Sequence, residues 1–138
     1  MPDTIVLPRS LVTRLLHQAQ SRPDYEVCGL IGARNGKPVS VYPVANVAPD
    51  PARHFEMDPK GQIQAMKAMR ERGETLLAIY HSHPSAPPFP SAEDLEAVSY
   101  PEALSLIISL NTKGVLEIRG FHLDGRQPEE VELVMEEA

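Results

Sequence analysis

The chain has 138 residues, a formal net charge of -6 and a single cysteine. A hydrophobic content of 42% and a charged content of 23% are ordinary for a globular protein, and the length allows a sizeable core, so we expect one domain over residues 1–138. The excess of acidic residues, without a cluster of Lys and Arg, argues against nucleic acid or an anionic membrane as the main partner. One cysteine excludes an internal disulfide.

The chain also lacks the sequence patterns of export and of membrane insertion. No stretch approaches the uninterrupted apolar length of a membrane helix, and the N-terminus carries Asp3 and no small-residue cleavage site. We therefore expect a cytoplasmic protein. Cys28 lies inside an apolar run, which favours a packed core thiol over a nucleophile.

The first third of the chain predicts a strand, a helix and a β-hairpin. Residues 4–7 are a short β-rich start, and a helix follows to about Ser21, with His17 outside its apolar stripe. The stripe comprises Leu11, Val12, Leu15, Leu16 and Ala19. Asn35-Gly36 is a hairpin-turn signal between a strand that carries Glu26 and a strand over residues 39–44, which we expect to pair antiparallel.

The remainder of the chain predicts further helices and strands. Asp58 is placed to cap a helix that has Pro59 at its first position, runs through Ile63, Met66 and Met69, and ends at Gly73, with both methionines expected in the core. Later elements are a buried strand over 75–80, a helix from Ser91 to about 100, strands over 104–110, 115–123 and 131–135, and turns at 111–114 and 124–125. Strands interleaved with helices predict an α/β fold of the α+β type, with a mixed sheet flanked by helices.

One stretch, His81–Asp94, carries the chemistry. Side chains two apart on a strand share a face, so His81 and His83, at the end of the buried strand, can point at one object. Asp94 brings a carboxylate from the next predicted element. Two imidazoles and a carboxylate suit zinc and leave its fourth tetrahedral position for water.

Each part of this pattern also has a purely structural interpretation. A His-x-His at a strand end is more often surface or loop chemistry, and Ser91-x-x-Asp94 is by itself a helix capping box. The metal interpretation is favoured because one short segment supplies all three ligands, in a loop stiffened by prolines. These are Pro84, Pro87, Pro88 and Pro90.

The pattern His-x-His-Pro, five residues, Pro-Ser, two residues, Asp resembles the signature of the JAMM (MPN+) metalloprotease family. That family also has an upstream glutamate followed by small or apolar residues and a glycine, which the run Glu26–Gly32 matches. The resemblance covers about residues 11–123. It implies a mixed, largely antiparallel sheet similar to the cytidine deaminase arrangement. Deamination itself is not expected, because a zinc deaminase needs a Pro-Cys-x-x-Cys motif that this chain lacks.

The resemblance implies a zinc-dependent amide-bond hydrolase. His81, His83 and Asp94 would hold Zn²⁺, and Glu26 would take a proton from water and pass it to the leaving amine. The Ser91 hydroxyl would stabilise the oxyanion. The implied substrate is the bond after the C-terminal Gly-Gly of a ubiquitin-like protein, or of a sulfur-carrier protein as for small prokaryotic members. A tail without Cβ atoms can thread a narrow cleft.

Several alternatives stay open at this stage. A non-catalytic MPN-type scaffold would only bind partners, although such modules lack the ligand set that this chain keeps. A DNA-repair-associated relative carries a similar loop, usually with an extra helical domain. The sequence assigns no role to His54 or His122, and it leaves the oligomeric state open, a homodimer included.

Overall fold

The computed structural model describes residues 4–91, 94, 100, 102–110, 117–123 and 127–137. These residues form seven strands and two helices. In chain order the elements are β1 (Thr4–Pro8), α1 (Arg9–Ser21), β2 (Cys28–Arg34), β3 (Lys37–Val44), α2 (Pro59–Glu71), β4 (Thr75–His83), β5 (Leu104–Ser109), β6 (Glu117–His122) and β7 (Glu129–Glu136).

The seven strands form one sheet in the order β1-β7-β6-β5-β4-β2-β3. Pairs β1/β7 and β4/β5 are parallel, whereas β2/β3, β2/β4, β5/β6 and β6/β7 are antiparallel. The predicted fold class, a mixed and largely antiparallel sheet with helices, is confirmed. Strand β4 lies between two neighbours, so its C-terminal residues are held by hydrogen bonds on both sides.

Helix α1 packs on one face of the sheet through its predicted apolar stripe. Leu11, Leu15 and Ala19 are buried among residues of strands from both halves of the sheet, and His17 is exposed as predicted. A helical residue recurs on the same face every three or four positions, which is why this spacing yields a buried stripe. Helix α1 thereby ties β1 to the strands that carry the site.

The predicted turns before β3 and β4 are present, and both lie at the end of the sheet opposite His81 and His83. Asn35 and Gly36 have φ angles of 53° and 76°, as a tight hairpin turn requires, and they join β2 to β3. Gly73 has a φ of 71° directly after the C-cap of α2, which ends that helix and turns the chain into β4. The turn at Gly73 after the end of α2 therefore determines where β4, the strand that supplies both histidines, begins.

One local prediction for α2 was wrong. Asp58 occupies the N-cap position, but its side chain makes no capping hydrogen bond; its backbone carbonyl accepts the N–H of Gln62 instead. The helix packs on the sheet through Ala65 and Met69, and Ile63 is 68% exposed. The helix begins at Pro59 as predicted.

Some predicted elements lie outside the described residues. They are most of the helix from Ser91 to about 100, the turns at 111–114 and 124–125, and the start of the strand at Val115. Within the described part of the chain, neither helix combines the length and the apolar character that crossing a membrane would require.

Candidate metal centre

Four side chains of ligand type, Glu26, His81, His83 and Asp94, converge at the C-terminal end of β4. One ligand atom from each lies within 4.8 Å of every other. Glu26 and the two histidines are buried, and the Asp94 side chain is 10% exposed. We call this group the metal cluster. The structure brings together the general base and the three ligands that the sequence predicts for a zinc site.

Strand β4 places His81 and His83 as the alternation of its side chains predicts. The two Nε2 atoms are 3.0 Å apart, so both rings point at one position. The ring of Phe55 stacks on His81, with centroids 4.4 Å apart and an angle of 20° between the planes. The loop before α2 therefore contributes an aromatic wall to the cluster.

A hydrogen bond to the proline-rich loop fixes the orientation of His83. Its Nδ1 lies 2.9 Å from the carbonyl oxygen of Pro87, and a carbonyl only accepts, so Nδ1 carries the proton. In the neutral ring Nε2 is then left with a lone pair for a metal, which is the usual arrangement around a zinc-bound histidine. Ser109 supports the same loop, because its hydroxyl donates to the carbonyl of Ala86 at 2.8 Å.

Asp94 combines the structural and the chemical interpretation of its motif. Its Oδ2 accepts the Ser91 backbone N–H at 2.8 Å, and its own N–H donates to the Ser91 hydroxyl at 3.0 Å, which is a capping box. The same Oδ2 lies 3.3 Å from Nε2 of His81 and 3.2 Å from Nε2 of His83. Capping therefore aims the carboxylate into the cluster instead of competing with metal binding.

Glu26 lies two residues before β2 begins, so its predicted place on that strand was wrong. Its N–H donates to the carbonyl of Pro51 at 2.8 Å. The Ser82 hydroxyl holds the residues on either side, since it accepts the N–H of Val27 at 2.9 Å and donates to the carbonyl of Tyr25 at 3.2 Å. The backbone around Glu26 is therefore held by the Ser82 hydroxyl and the Pro51 carbonyl, and not by the strand-to-strand hydrogen bonds of β2, which begin after it.

The spacing of the cluster is close to that of a tetrahedral zinc site and slightly tighter. Three ligand atoms, Nε2 of His81, Nε2 of His83 and Oδ2 of Asp94, are 3.0, 3.2 and 3.3 Å from one another. With zinc–ligand bonds of roughly 2.0–2.2 Å, neighbouring ligands of a tetrahedron are separated by roughly 3.3–3.6 Å. Two carboxylates beside two neutral imidazoles carry an excess of negative charge, which a divalent cation would balance.

Two of the three candidate ligands, His81 and Asp94, favour the protonation state that binds metal, and the third, His83, favours the protonated state. Burial lowers the pKa of His81 and so favours the neutral imidazole. Burial alone would raise the pKa of Asp94, but hydrogen bonds with His81 and His83 hold that pKa well below its usual range. For His83, burial opposes the charged form, and its bonds to Asp94 and Pro87 outweigh that effect and raise its pKa. A metal would compete with that proton.

A cavity of about 330 Å³ opens beside the metal cluster. His81 and Asp94 form part of its wall. The other lining residues are apolar, such as Phe55, Met57 and Leu104, or polar, such as Glu56, Gln62 and Ser105. A cavity that combines apolar and polar groups beside candidate metal ligands is typical of a substrate site.

The other candidate residues are not members of the metal cluster. Among the described residues, the group that could hold a metal includes neither His54, in the loop before α2, nor His122, on β6. Cys28 is buried as predicted, and burial, with a smaller contribution from Glu26, raises the pKa of its thiol to about 12. A neutral buried thiol is a core residue and no nucleophile.

The sequence did not identify the residues that hold the cluster in place, chiefly Asn46, Ser82 and Ser109. They have no periodicity or motif of their own, and their partners are distant in sequence or in irregular backbone. The one usable signal was a small polar residue inside an apolar strand, Ser82. Buried hydroxyls nearly always have a hydrogen-bond partner.

Comparison with known proteins agrees with the geometry. The family Prok-JAB, described as prokaryotic homologs of the JAB domain, matches residues 8–120. The chain is 35% identical over 102 residues to the desampylase of Haloferax volcanii, covering 72% of this chain and 73% of that protein. It is 28% identical over 137 residues to the CysO-cysteine peptidase of Mycobacterium tuberculosis, covering 96% and 92%.

Solved structures show the same fold. A solution structure from Desulfitobacterium hafniense, 34% identical, superposes with a TM-score of 0.87 and covers 97% of this chain and 94% of that one. A structure described as JAMM, a metalloprotease-like zinc site in the proteasome and signalosome, covers 98% and 100% with a TM-score of 0.62 at 18% identity, and it supports the fold alone. The resemblance read from the motif is confirmed, and the chain belongs to the Prok-JAB family of prokaryotic JAB-domain homologs.

Proposed function

We propose that this protein is a zinc-dependent peptidase or isopeptidase that hydrolyses the amide bond after the C-terminal Gly-Gly of a ubiquitin-like or sulfur-carrier protein. The observation that carries the proposal is the metal cluster, in which a buried glutamate accompanies three ligand-type side chains within 4.8 Å. His81, His83 and Asp94 would hold Zn²⁺, and Glu26 would act as the general base.

The proposed residues divide the reaction between them. Zinc, when bound, supplies a Lewis acid that makes water a usable nucleophile near neutral pH. The Glu26 carboxylate accepts a proton from the attacking water and then donates it to the leaving nitrogen, so that a C–O bond replaces the C–N bond. The Ser91 hydroxyl donates to the carbonyl oxygen as negative charge grows there. Each group acts on an atom of the same amide.

Two findings support the substrate class. The relatives from Haloferax volcanii and Mycobacterium tuberculosis bear the names desampylase and CysO-cysteine peptidase, and the second name states a peptidase activity. A Gly-Gly tail has no Cβ atoms and can approach buried ligands such as His81 and His83 closely. We also propose that residues 1–138 form a single domain and that the protein acts in the cytoplasm. Nucleic acids and membranes are not among its proposed partners.

The test is cleavage of a defined substrate. Small proteins of the host that end in Gly-Gly would be extended by a few residues, incubated with zinc-loaded protein and weighed by mass spectrometry. We expect loss of the extension and a product that ends at Gly-Gly. A second set, joined through a lysine side chain, distinguishes a peptidase from an isopeptidase.

The variant Glu26→Gln is the matched control, because glutamine keeps the shape of glutamate and cannot accept the proton. We expect it to retain zinc and to lose activity by a factor on the order of 10²–10⁴. Cleavage by Glu26→Gln at the wild-type rate would make the base assignment wrong. Zinc-loaded wild-type protein that leaves every Gly-Gly substrate intact would contradict the function.

Two further measurements, of zinc content and of DNA binding, address the two alternatives. A non-catalytic scaffold would have no stoichiometric zinc after purification without chelator, and the proposal requires close to one zinc per chain. The relative associated with DNA repair would bind duplex DNA at physiological salt, where we expect only weak binding from a chain with a net charge of -6.

A further inference from the structure

The side chain of Asn46, just after β3, uses its whole hydrogen-bonding capacity around the candidate base. Its Nδ2 donates to the carbonyls of Glu26 at 2.8 Å and His54 at 2.9 Å. Its Oδ1 accepts the N–H groups of Ala48 and Glu56, both at 3.0 Å. An amide has two N–H donors and two acceptor lone pairs, so these four bonds fix its orientation.

The hydrogen bond from Asn46 to the Glu26 carbonyl holds a residue that lies outside the strands and helices. Glu26 precedes β2, and its backbone N–H is held by the carbonyl of Pro51 at 2.8 Å. Asn46 binds the carbonyl of the same residue. Both backbone groups of the candidate base are therefore attached to the loop between β3 and α2, and the position of its carboxylate depends on that loop.

The remaining bonds act on the aromatic wall of the metal cluster. His54 and Glu56 are the residues on either side of Phe55, so Asn46 binds the chain directly before and after that residue. The Phe55 ring stacks on His81 with centroids 4.4 Å apart. A single amide thus connects the candidate base with the ring that braces a metal ligand.

We propose that Asn46 is a positioning residue for the hydrolysis: it holds Glu26 and Phe55 in fixed relation to the metal ligands and contacts neither the metal nor the scissile amide. The inference rests on the proposed function. A general base must lie within hydrogen-bond reach of its proton, and a misplacement of 1 Å can lower a rate by roughly a hundredfold. Loss of Asn46 should therefore lower kcat while substrate and zinc still bind.

The test uses the full chain and the variant Asn46→Asp. Aspartate keeps an oxygen for the N–H groups of Ala48 and Glu56, and places a second oxygen against the carbonyls of Glu26 and His54 in place of the donor. We expect kcat to fall on the order of tenfold to a hundredfold, with KM and zinc content within about twofold of wild type. Asn46→Ala, which removes all four bonds, is the second variant.

Ser40→Ala is the stability control. Ser40 lies on β3 and donates to Glu74 at 2.9 Å, in a different polar cluster, so this variant loses a partly buried hydrogen bond away from the site. We expect a lower midpoint of thermal unfolding and an unchanged kcat.

The outcomes separate the inference from the function on which it rests. Wild-type kcat in Asn46→Asp, or an equal fall of kcat in Ser40→Ala at the same loss of stability, would overturn the role of Asn46 and leave the proposed function intact. Loss of zinc from Asn46→Asp would also overturn it, because a positioning role leaves the ligands in place. An inactive wild-type protein would overturn both.

Discussion

Strand β4 separates two buried polar clusters that differ in what balances their charge. Before its first residue, the buried Glu74 accepts hydrogen bonds from the hydroxyls of Ser40 at 2.9 Å and Tyr42 at 2.7 Å. Arg34 lies 3.6 Å from the same carboxylate, and Arg72 donates to the Tyr42 hydroxyl at 3.2 Å. We call this group the Glu74 cluster. Guanidinium groups stay protonated, so its charge balance is permanent.

At the other end of β4, the metal cluster has histidine in the place of arginine. The described ion pairs of Asp94 are with Nε2 of His81 and His83, at 3.3 and 3.2 Å. A neutral imidazole offers a lone pair, whereas a guanidinium never does. The proposed function assigns the balance of the carboxylate charge to an exchangeable metal cation.

The comparison shows that burial of a carboxylate does not by itself mark a reactive site. Glu74 is as buried as Glu26, at 6% against 5% exposure. The two carboxylates differ in their partners. Glu74 is surrounded by hydroxyl groups and arginine, whereas Glu26 lies beside two histidines and an aspartate whose ligand atoms face one another. We therefore expect substitutions in the metal cluster to affect chemistry first, and those in the Glu74 cluster to affect stability first.

The largest effect is expected from removal of a ligand. His83→Ala deletes the Nε2 that lies 3.0 Å from His81 and the Nδ1 bond to Pro87. We expect zinc content to fall to background and activity to fall by more than about a hundredfold, since disturbing even a partner of a ligand costs roughly tenfold to a hundredfold. Metal analysis and the cleavage assay measure both. His17→Ala, at an exposed position on α1, is the control and should change neither. A zinc-loaded His83→Ala protein would remove His83 from the ligand set.

A smaller effect is expected from the Ser91 hydroxyl. Ser91→Ala removes the proposed oxyanion donor but keeps the backbone N–H that holds Oδ2 of Asp94 at 2.8 Å, so zinc should stay bound. We expect kcat to fall by about a hundredfold. Ser91→Thr keeps a hydroxyl and should recover much of that loss. If Ser91→Ala instead loses zinc or stability while its zinc-loaded fraction turns over normally, Ser91 acts only as a helix cap.

The sequence predicted the metal cluster because its ligands form a local pattern. His81 and His83 lie two apart on an apolar strand, and Asp94 follows in a spacing specific to the family. Strand and helix positions followed from periodicity and from turn residues such as Asn35-Gly36. Both kinds of signal depend on neighbours in sequence.

The parts that sequence did not predict depend on contacts between distant segments. Nothing in the residues next to Glu74 indicates that its side chain is buried. Its hydrogen-bond partners, Ser40 and Tyr42, lie more than 30 positions earlier in the sequence. Gly32 leaves space for it, since a Cβ there would lie 2.3 Å from Glu74 Oε1. The irregular backbone around Glu26 was predicted as strand for a similar reason: hydrogen bonds from Asn46 and Ser82 replace a ladder that local propensity alone would have extended.

The smallest effect on activity is expected from the Glu74 cluster. Glu74→Gln keeps the shape of the side chain, while it removes the negative charge near Arg34 and replaces one buried acceptor by a donor facing Ser40 or Tyr42. We expect a loss on the order of 1–3 kcal/mol in the free energy of unfolding, measured by urea denaturation. Zinc content and kcat should stay within about twofold of wild type.

Glu71→Gln serves as the reference for that measurement, because Glu71 is exposed at the end of α2 and an exposed substitution of this kind changes stability by only about 0.5 kcal/mol or less. A fall of kcat in Glu74→Gln, at a temperature where the variant is fully folded, would mean that the two ends of β4 are coupled. The division between a structural and a reactive cluster would then be wrong. An unchanged stability would show that the hydroxyls reorient to satisfy an amide, and that the charge of Glu74 contributes little to linking β3 with the start of β4 across β2.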